Sequence, residues 1–276
     1  MPTLFVMATP IGNLEDMSYR AVRILGEVHV LACEDTRRTR VLLQHFDISP
    51  PSQIVSYHEH NEERVGQYLL KLLSEGKDIA LCSNSGYPGV SDPGYRIIRE
   101  AIEKGFPVQV VPGASAVPTA LLVSGLPSSS YTFKGFPPRK PGPKRRFLEM
   151  ERDAPHTLVF FESPMRVGAF LEMALSVLGN RKAAVCIELT KMFEEVHRGF
   201  LEDLAKKFKE EKIRGEVTLV IAGNRPKFIA PPNGSRGAGE QGSRGAGESP
   251  PAPLPLCSSS VFLCASVVRF FIQTAR

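Results

Sequence analysis

Two acid–base pairs directly follow apolar runs in the second half of the chain. Glu162 and Arg166 lie in F-F-E-S-P-M-R, and Glu188 and Lys191 in E-L-T-K. A third cluster, Glu34-Asp35-Thr36-Arg37-Arg38, follows an apolar run near the start. At strand ends of an α/β protein, such groups stand where ligands bind. A carboxylate there can accept a proton, and a cation can steady an oxygen that gains charge. The two later pairs occupy equivalent strand ends and read as one site facing the first half of the chain. Ordinary surface ion pairs are the competing reading.

Three loops could hold a ligand against these groups. Residues 82–94 read C-S-N-S-G-Y-P-G-V-S-D-P-G, with three glycines and two prolines between a buried-strand pattern and a helical one. Glycine lets backbone approach a ligand closely, and proline stiffens what remains. A long ordered loop of this kind is usually functional, against the alternative of a simple surface connection. Residues 8–16, A-T-P-I-G-N-L-E-D, leave the first strand without the G-x-G-x-x-G fingerprint, which speaks against a nicotinamide cofactor. Residues 112–116, P-G-A-S-A, open a helix straight after a strand, so its free N–H groups can meet an anionic or carbonyl group. Close packing of that helix on the sheet is the alternative.

The run His58-Glu59-His60-Asn61-Glu62 matches no strong metal-ligand spacing and reads as a polar loop with capping roles; no metal is expected. Between Glu103 and Glu149 there is no acidic residue and there are seven Lys or Arg. Five of these, Arg139, Lys140, Lys144, Arg145 and Arg146, follow Tyr131, Phe133 and Phe136. Such a cluster suits phosphate contact, with aromatics available to stack on a base. A basic surface helix start is the bland reading.

To position these groups the chain alternates strand and helix patterns. Strands are expected at 4–8, 28–33, 54–56, 78–82 and 108–111, with helices between, which argues for a mostly parallel sheet. A second set of strands follows at 131–136, 157–162, 183–188 and 217–222, with helices at 144–152, 164–178 and 201–210. The expected organisation is an α/β domain at 1–117, a linker at 118–130 and a second α/β domain at 131–223. Residues 224–276 are a low-complexity tail carrying G-S-R-G-A-G-E twice, expected to be disordered. Up to residue 223 there are 28 Lys or Arg against 27 Asp or Glu, so overall charge is weak evidence for a nucleic-acid partner. Five scattered cysteines favour reduced thiols in a cytoplasmic protein. No signal peptide is visible, and the apolar run at 261–272 is too short to span a bilayer.

Read together, T-P-I-G-N-L-E-D, C-E-D-T-R, H-E-H-N-E, S-x-S-G-x-P-G-x-S-D-P-G, P-G-A-S-A, G-F-P-P-R-K, F-F-E-S-P-x-R and E-L-T-K occur in one order over about residues 2–223. The set resembles the 16S rRNA cytidine 2′-O-methyltransferases of the tetrapyrrole methylase superfamily. The resemblance implies two α/β domains, a homodimer, and S-adenosylmethionine in the cleft between the domains. It also implies methyl transfer to the ribose of a decoding-centre cytidine in 16S rRNA, within the small ribosomal subunit. The cofactor loops then fall on Pro10, Gly12 and Asn13, on Ser83, Asn84, Ser85, Gly86, Tyr87 and Pro88, and on Pro112, Gly113, Ser115 and Ala116. The family usually carries D-A-G-T-P where this chain has Asn84 to Pro88, so a carboxylate is lost and Tyr87 adds bulk. A ribose hydroxyl needs a proton acceptor. Glu34 and Glu162 are the candidates, with Arg37, Arg166 and Lys191 as positioning cations. Two other readings share parts of this pattern, a tetrapyrrole-ring methyltransferase and a non-catalytic ribosome-binding homologue. The basic patch and H-E-H-N-E speak against the former.

Overall fold

A computed structural model describes residues 1–211 and 213–231 of the 276-residue chain. The expected tail, including its repeats and its apolar run, lies outside the described residues apart from residues 224–231.

The first half is a parallel α/β sheet. Its elements are β1 (Leu4–Met7), α1 (Tyr19–Glu27), β2 (Val30–Cys33), α2 (Thr36–His45), β3 (Gln53–Ser56), α3 (Glu62–Ser74), β4 (Ile79–Cys82), α4 (Tyr95–Glu103) and β5 (Val108–Val111). The strand order is β3-β2-β4-β1-β5, and every pairing is parallel. Strands β2 and β4 are buried throughout because helices cover both faces, which is why they read as unbroken apolar runs. Local signals set the helix starts. Ser18 accepts from the Ala21 N–H at 3.2 Å and Asp35 from Arg37 N–H at 2.8 Å, each an N-cap. Gly26 lies inside α1, which ends at Glu27.

The second half is a mixed sheet. It contains α5 (Ala116–Ser124), β6 (Tyr131–Phe133), α6 (Pro141–Glu149), β7 (Thr157–Glu162), α7 (Val167–Leu178), β8 (Lys182–Ile187), β9 (Glu195–Phe200), α8 (Leu201–Glu210) and β10 (Val217–Ile221). The order is β6-β7-β10-β8-β9, and only β6 and β7 run parallel. Helices α6, α7 and α8 cover one face around Phe160, Phe170 and Phe208. Burial of each such ring stabilises the fold by roughly 1.5–3 kcal/mol.

The stretch 118–130, read as a linker, is mostly the body of α5. That helix packs Val117, Ala120 and Leu121 against Val159, Ala184, Cys186 and Val220 of the second sheet, together with Ile11 from the first loop. The helix, expected to open at residues 112–116, is apolar and made of small residues, so it lies close on a sheet face. Among the described residues no helix is long and apolar enough to cross a membrane. Cys33, Cys82 and Cys186 are free and buried.

Candidate active site between the paired loops and the second sheet

In the β3-β2-β4-β1-β5 order, β1 and β4 are neighbours, so the loops leaving their carboxyl ends emerge side by side. They are tied together. Thr9 N–H donates to the Gly86 carbonyl at 2.9 Å and Gly86 N–H to the Thr9 carbonyl at 3.0 Å, a two-residue antiparallel bridge. The Thr9 and Ser83 hydroxyls add bonds to the Gly86 carbonyl at 3.4 and 3.1 Å. Gly86 sits at φ +74°, a left-handed conformation that favours glycine. Further along, a Cβ on Gly94 would stand 2.8 Å from the Gly89 nitrogen, so the loop closes on itself there and excludes any side chain.

The H-E-H-N-E run braces this loop from the other side. Asn61 accepts from the His58 N–H at 2.8 Å and donates to the Ser56 carbonyl, shaping the turn into α3. Glu62, the first residue of that helix, accepts from the buried Tyr57 hydroxyl at 2.9 Å and from Gly94 N–H at 3.2 Å. The Tyr57 phenol is pushed well above its ordinary range by burial and by the Glu62 carboxylate, so it stays a donor at any working pH.

The first loop also docks on the second half. Asn13 N–H donates to the Thr190 hydroxyl at 3.1 Å, and Gly12 lies so close to residues 189–191 that a Cβ would stand 2.7 Å from Thr190 Oγ1. Residues 188–191 are the turn between β8 and β9, where Glu188 and Thr190 adopt left-handed backbone at φ +50° and +64°. Lys191 Nζ holds Glu188 Oε1 at 2.8 Å and Glu216 Oε2 at 3.2 Å. Burial works against the Glu188 charge, yet the Lys191 ammonium and the Glu216 N–H hold its carboxyl below the usual range. Burial likewise opposes the Lys191 charge, and the two carboxylates overcome it and raise that ammonium.

These contacts enclose a cavity of about 300 Å³, at the small end for a cofactor site. The β4–α4 loop supplies Ser85, Gly86, Tyr87, Val90, Ser91 and Asp92, and the start of α5 supplies Ser115, Ala116 and Val117. From the second half come Phe136, Phe161, Glu162, Ser163 and Pro164, then Leu189 and residues 215–218. The charged lining residues are Asp92, Glu162 and Glu216, and among the described residues no lysine or arginine lines the cavity. A site of apolar and aromatic walls with acidic groups suits a ligand that joins a flat ring to a positive charge.

The expected cofactor residues divide. Ser85, Gly86, Tyr87, Ser115 and Ala116 line this cavity. Pro10, Ser83 and Asn84 line a smaller one of about 120 Å³ beside α2, with Arg38 and Thr39. Gly12 and Asn13 make the contact to residues 189–191, and Pro88 packs against Gly94. Pro112 and Gly113 lie at the end of β5, where Gly113 N–H donates to the Tyr87 hydroxyl at 3.1 Å. The bulk at position 87 thus bridges two of the three loops. The Asn84 side-chain oxygen is buried without a hydrogen-bond partner, while its backbone N–H reaches Glu34 Oε2 at 3.4 Å.

The candidate catalytic residues divide as well. Glu162 lines the cavity; its side chain is fully buried, accepting from Arg166 Nε at 2.7 Å and Ser163 N–H at 2.8 Å. Its second oxygen has no hydrogen-bond partner and lies 3.7 Å from Lys144 Nζ. Glu34, Arg37, Arg166 and Lys191 lie outside the cavity lining. Arg37 projects into solvent with its side chain 90% exposed.

Lys144 leaves the basic patch. It is 5% exposed, because the second turn of α6 faces the end of β7, and its charge answers Glu162. Arg139, Lys140, Arg145 and Arg146 are exposed. They belong to the segment that leaves the cavity wall at Phe136 and enters α6.

Two charged lining residues, Asp92 and Glu216, were not among the expected site residues. Asp92 stands at the cavity wall, and burial, together with the Glu34 and Glu216 charges, raises its carboxyl to about 6. The signal was in S-D-P-G, the last polar residues of the glycine-rich loop, where Asp reads by default as a turn former.

The chain matches the family described as Tetrapyrrole (Corrin/Porphyrin) Methylases over residues 3–205. It is 48% identical to the ribosomal RNA small subunit methyltransferase I of Halalkalibacterium halodurans over 225 residues, 82% of this chain and 77% of that one. The protein of the same name from Thermotoga maritima is 40% identical, covering 81% of this chain and 99% of its own. Among solved structures, the methyltransferase CobJ aligns with a TM-score of 0.61 at 16% identity, over 81% of this chain and 95% of that one. Uroporphyrin-III C-methyltransferase from Thermus thermophilus, complexed with S-adenyl homocysteine, aligns with a TM-score of 0.54 at 21% identity, over 80% and 97%. The chain therefore belongs to the tetrapyrrole methylase family, as a methyltransferase of the ribosomal RNA small subunit methyltransferase I group.

Proposed function

We propose that this chain transfers the methyl group of S-adenosylmethionine to the ribose 2′-oxygen of a decoding-centre cytidine in 16S rRNA of the small ribosomal subunit. The observation that carries the reading is the acid-lined, base-free cavity held between the paired loops and the second sheet. When bound, the donor supplies a methyl group on a positively charged sulfur. The lining fits it: Tyr87, Phe136 and Phe161 offer flat apolar surface, and Asp92, Glu162 and Glu216 favour the cation. Rigid loops matter because displacement at carbon requires the attacking oxygen and the methyl group to be in line. The bridge between Thr9 and Gly86 and the closure at Gly94 supply that rigidity.

The exposed Arg139, Lys140, Arg145 and Arg146 adjoin the cavity wall through the chain and suit the phosphates flanking a target ribose. The relatives' name supports an rRNA substrate. A homodimer is what the family resemblance implies, and free, buried Cys33, Cys82 and Cys186 support a cytoplasmic location; exposed Val110 on edge strand β5 and Leu122 on α5 offer apolar surface for a second copy. The test is incubation of small ribosomal subunits lacking the modification with the protein and S-adenosylmethionine, followed by nucleoside mass spectrometry. One 2′-O-methylcytidine per subunit is expected. A base-methylated nucleoside, or methylation of a tetrapyrrole instead, would overturn the reading.

A further inference from the structure

Every acid at the cavity except one is already engaged. Glu162 is clamped by Arg166 and by the Ser163 amide, with Lys144 behind it, so two cations already answer its charge. Glu216 is paired with Lys191 at 3.2 Å, its side chain 67% exposed. Glu34, outside the lining, approaches the Asn84 N–H. Asp92 differs: among the described residues no hydrogen bond or ion pair holds its carboxylate. It stands on a stiff segment, since Ser91 before it adopts φ +67° and Gly94 after it closes on Gly89. A non-glycine residue in that conformation costs energy and persists only where its surroundings enforce it.

We infer that Asp92, on the cavity wall, is the proton acceptor of the transfer. This rests on the methyl-transfer reading above. The ribose hydroxyl gives its proton to the Asp92 carboxylate while its oxygen bonds to the methyl carbon. The pair from the broken carbon–sulfur bond stays on sulfur, which leaves as a neutral thioether. The groups that set the carboxylate's basicity are Glu34 from the end of β2 and Glu216 from the start of β10, both raising it after burial itself. Glu162 is the remaining charged group of the lining, and Tyr87, from the same loop, the remaining titratable one. An acceptor near 6 is ionised at neutral pH and still basic enough to take a proton.

The test compares the wild-type chain with Asp92→Asn in three measurements. Single-turnover methyl transfer to small subunits should fall about a hundredfold or more. Calorimetric affinity for S-adenosylmethionine should fall far less than the transfer rate, since Glu162 and Glu216 remain to favour the cation, and the rate of the wild type should rise with pH through a limb near 6 that Asp92→Asn lacks. Full turnover in Asp92→Asn, or a wild-type profile flat between pH 5 and 7 (about one unit either side), would overturn the assignment alone. A wild-type chain that binds no donor would overturn the reading beneath it as well. Should Asp92→Asn fail to fold, carboxylate NMR of the wild type decides. A resonance titrating near 6 that disappears in Asp92→Glu supports the role, and titration of Asp92 at an ordinary value of about 4 refutes it.

Discussion

At the residue scale, the charges around the cavity are sorted by how they are compensated. Glu162 and Lys144 are both buried and answer each other across the end of β7. The burial of Lys144 could not be read from sequence, because a lysine in K-R-R reads as solvated until the helix register is known. Glu162 was legible as a site residue from its position after an apolar run, and so was its pairing with Arg166; its buried neighbour Lys144 was not. Asp92 is the reverse case, a residue with no motif of its own whose importance comes from being left without a partner. Its raised carboxyl makes a stability prediction. The folded value of about 6 lies above an unfolded value of about 4. Below about 4 the group is protonated in both states and costs nothing. As pH rises toward 6 the folded state is forced to ionise it, and stability is lost. Asp92→Asn should therefore unfold at higher temperature than wild type above pH 6, with the difference fading below about pH 4 in thermal melts.

At the element scale, the site depends on two loops being neighbours, and the strand order makes them so. The alternation of strand and helix patterns was legible, since it follows from local spacing; the cap at Asp35 was not assigned. Strand β9 was not, because Glu195, His197 and Arg198 leave only Val196 and Phe200 as apolar marks on a half-exposed edge strand. The mixed direction of the second sheet was equally hidden; strand–helix alternation does not fix the direction of pairing across a hairpin such as β8–β9. The turn joining those strands carries E-L-T-K, and its role is to receive the first loop. Gly12→Ala should test this docking. The new methyl would press on Lys191, on Thr190 Oγ1 at 2.7 Å and on the Leu189 carbonyl at 2.9 Å. A drop of about 1–3 kcal/mol in denaturant unfolding is expected, with weaker donor binding; unchanged stability would show that the loop moves freely.

At the scale of the whole molecule, two sheets of different character meet around α5, whose apolar side joins Ile11 of the first loop to strands of the second sheet. Acidic groups collect inside the cavity while exposed arginines and a lysine collect on the segment leading into α6. This separation puts a cationic donor and an anionic polymer on one protein without competition. Replacing Arg139, Arg145 and Arg146 by Ala should therefore weaken subunit binding and flatten its salt dependence, by roughly 0.7–0.9 in the log–log slope for each phosphate no longer neutralised. Lys144→Met should lower stability and leave that slope unchanged, since its ammonium faces Glu162. The claim beneath all of this is that the cavity lined by Tyr87, Ala116 and Glu162 holds the methyl donor. Calorimetric titration of S-adenosylmethionine into wild type and into Ala116→Phe, which places a ring in the lining at the start of α5, tests it most directly. One donor per wild-type chain and a weakening of about tenfold or more in the folded variant are expected; equal binding by both would place the donor elsewhere and contradict the account.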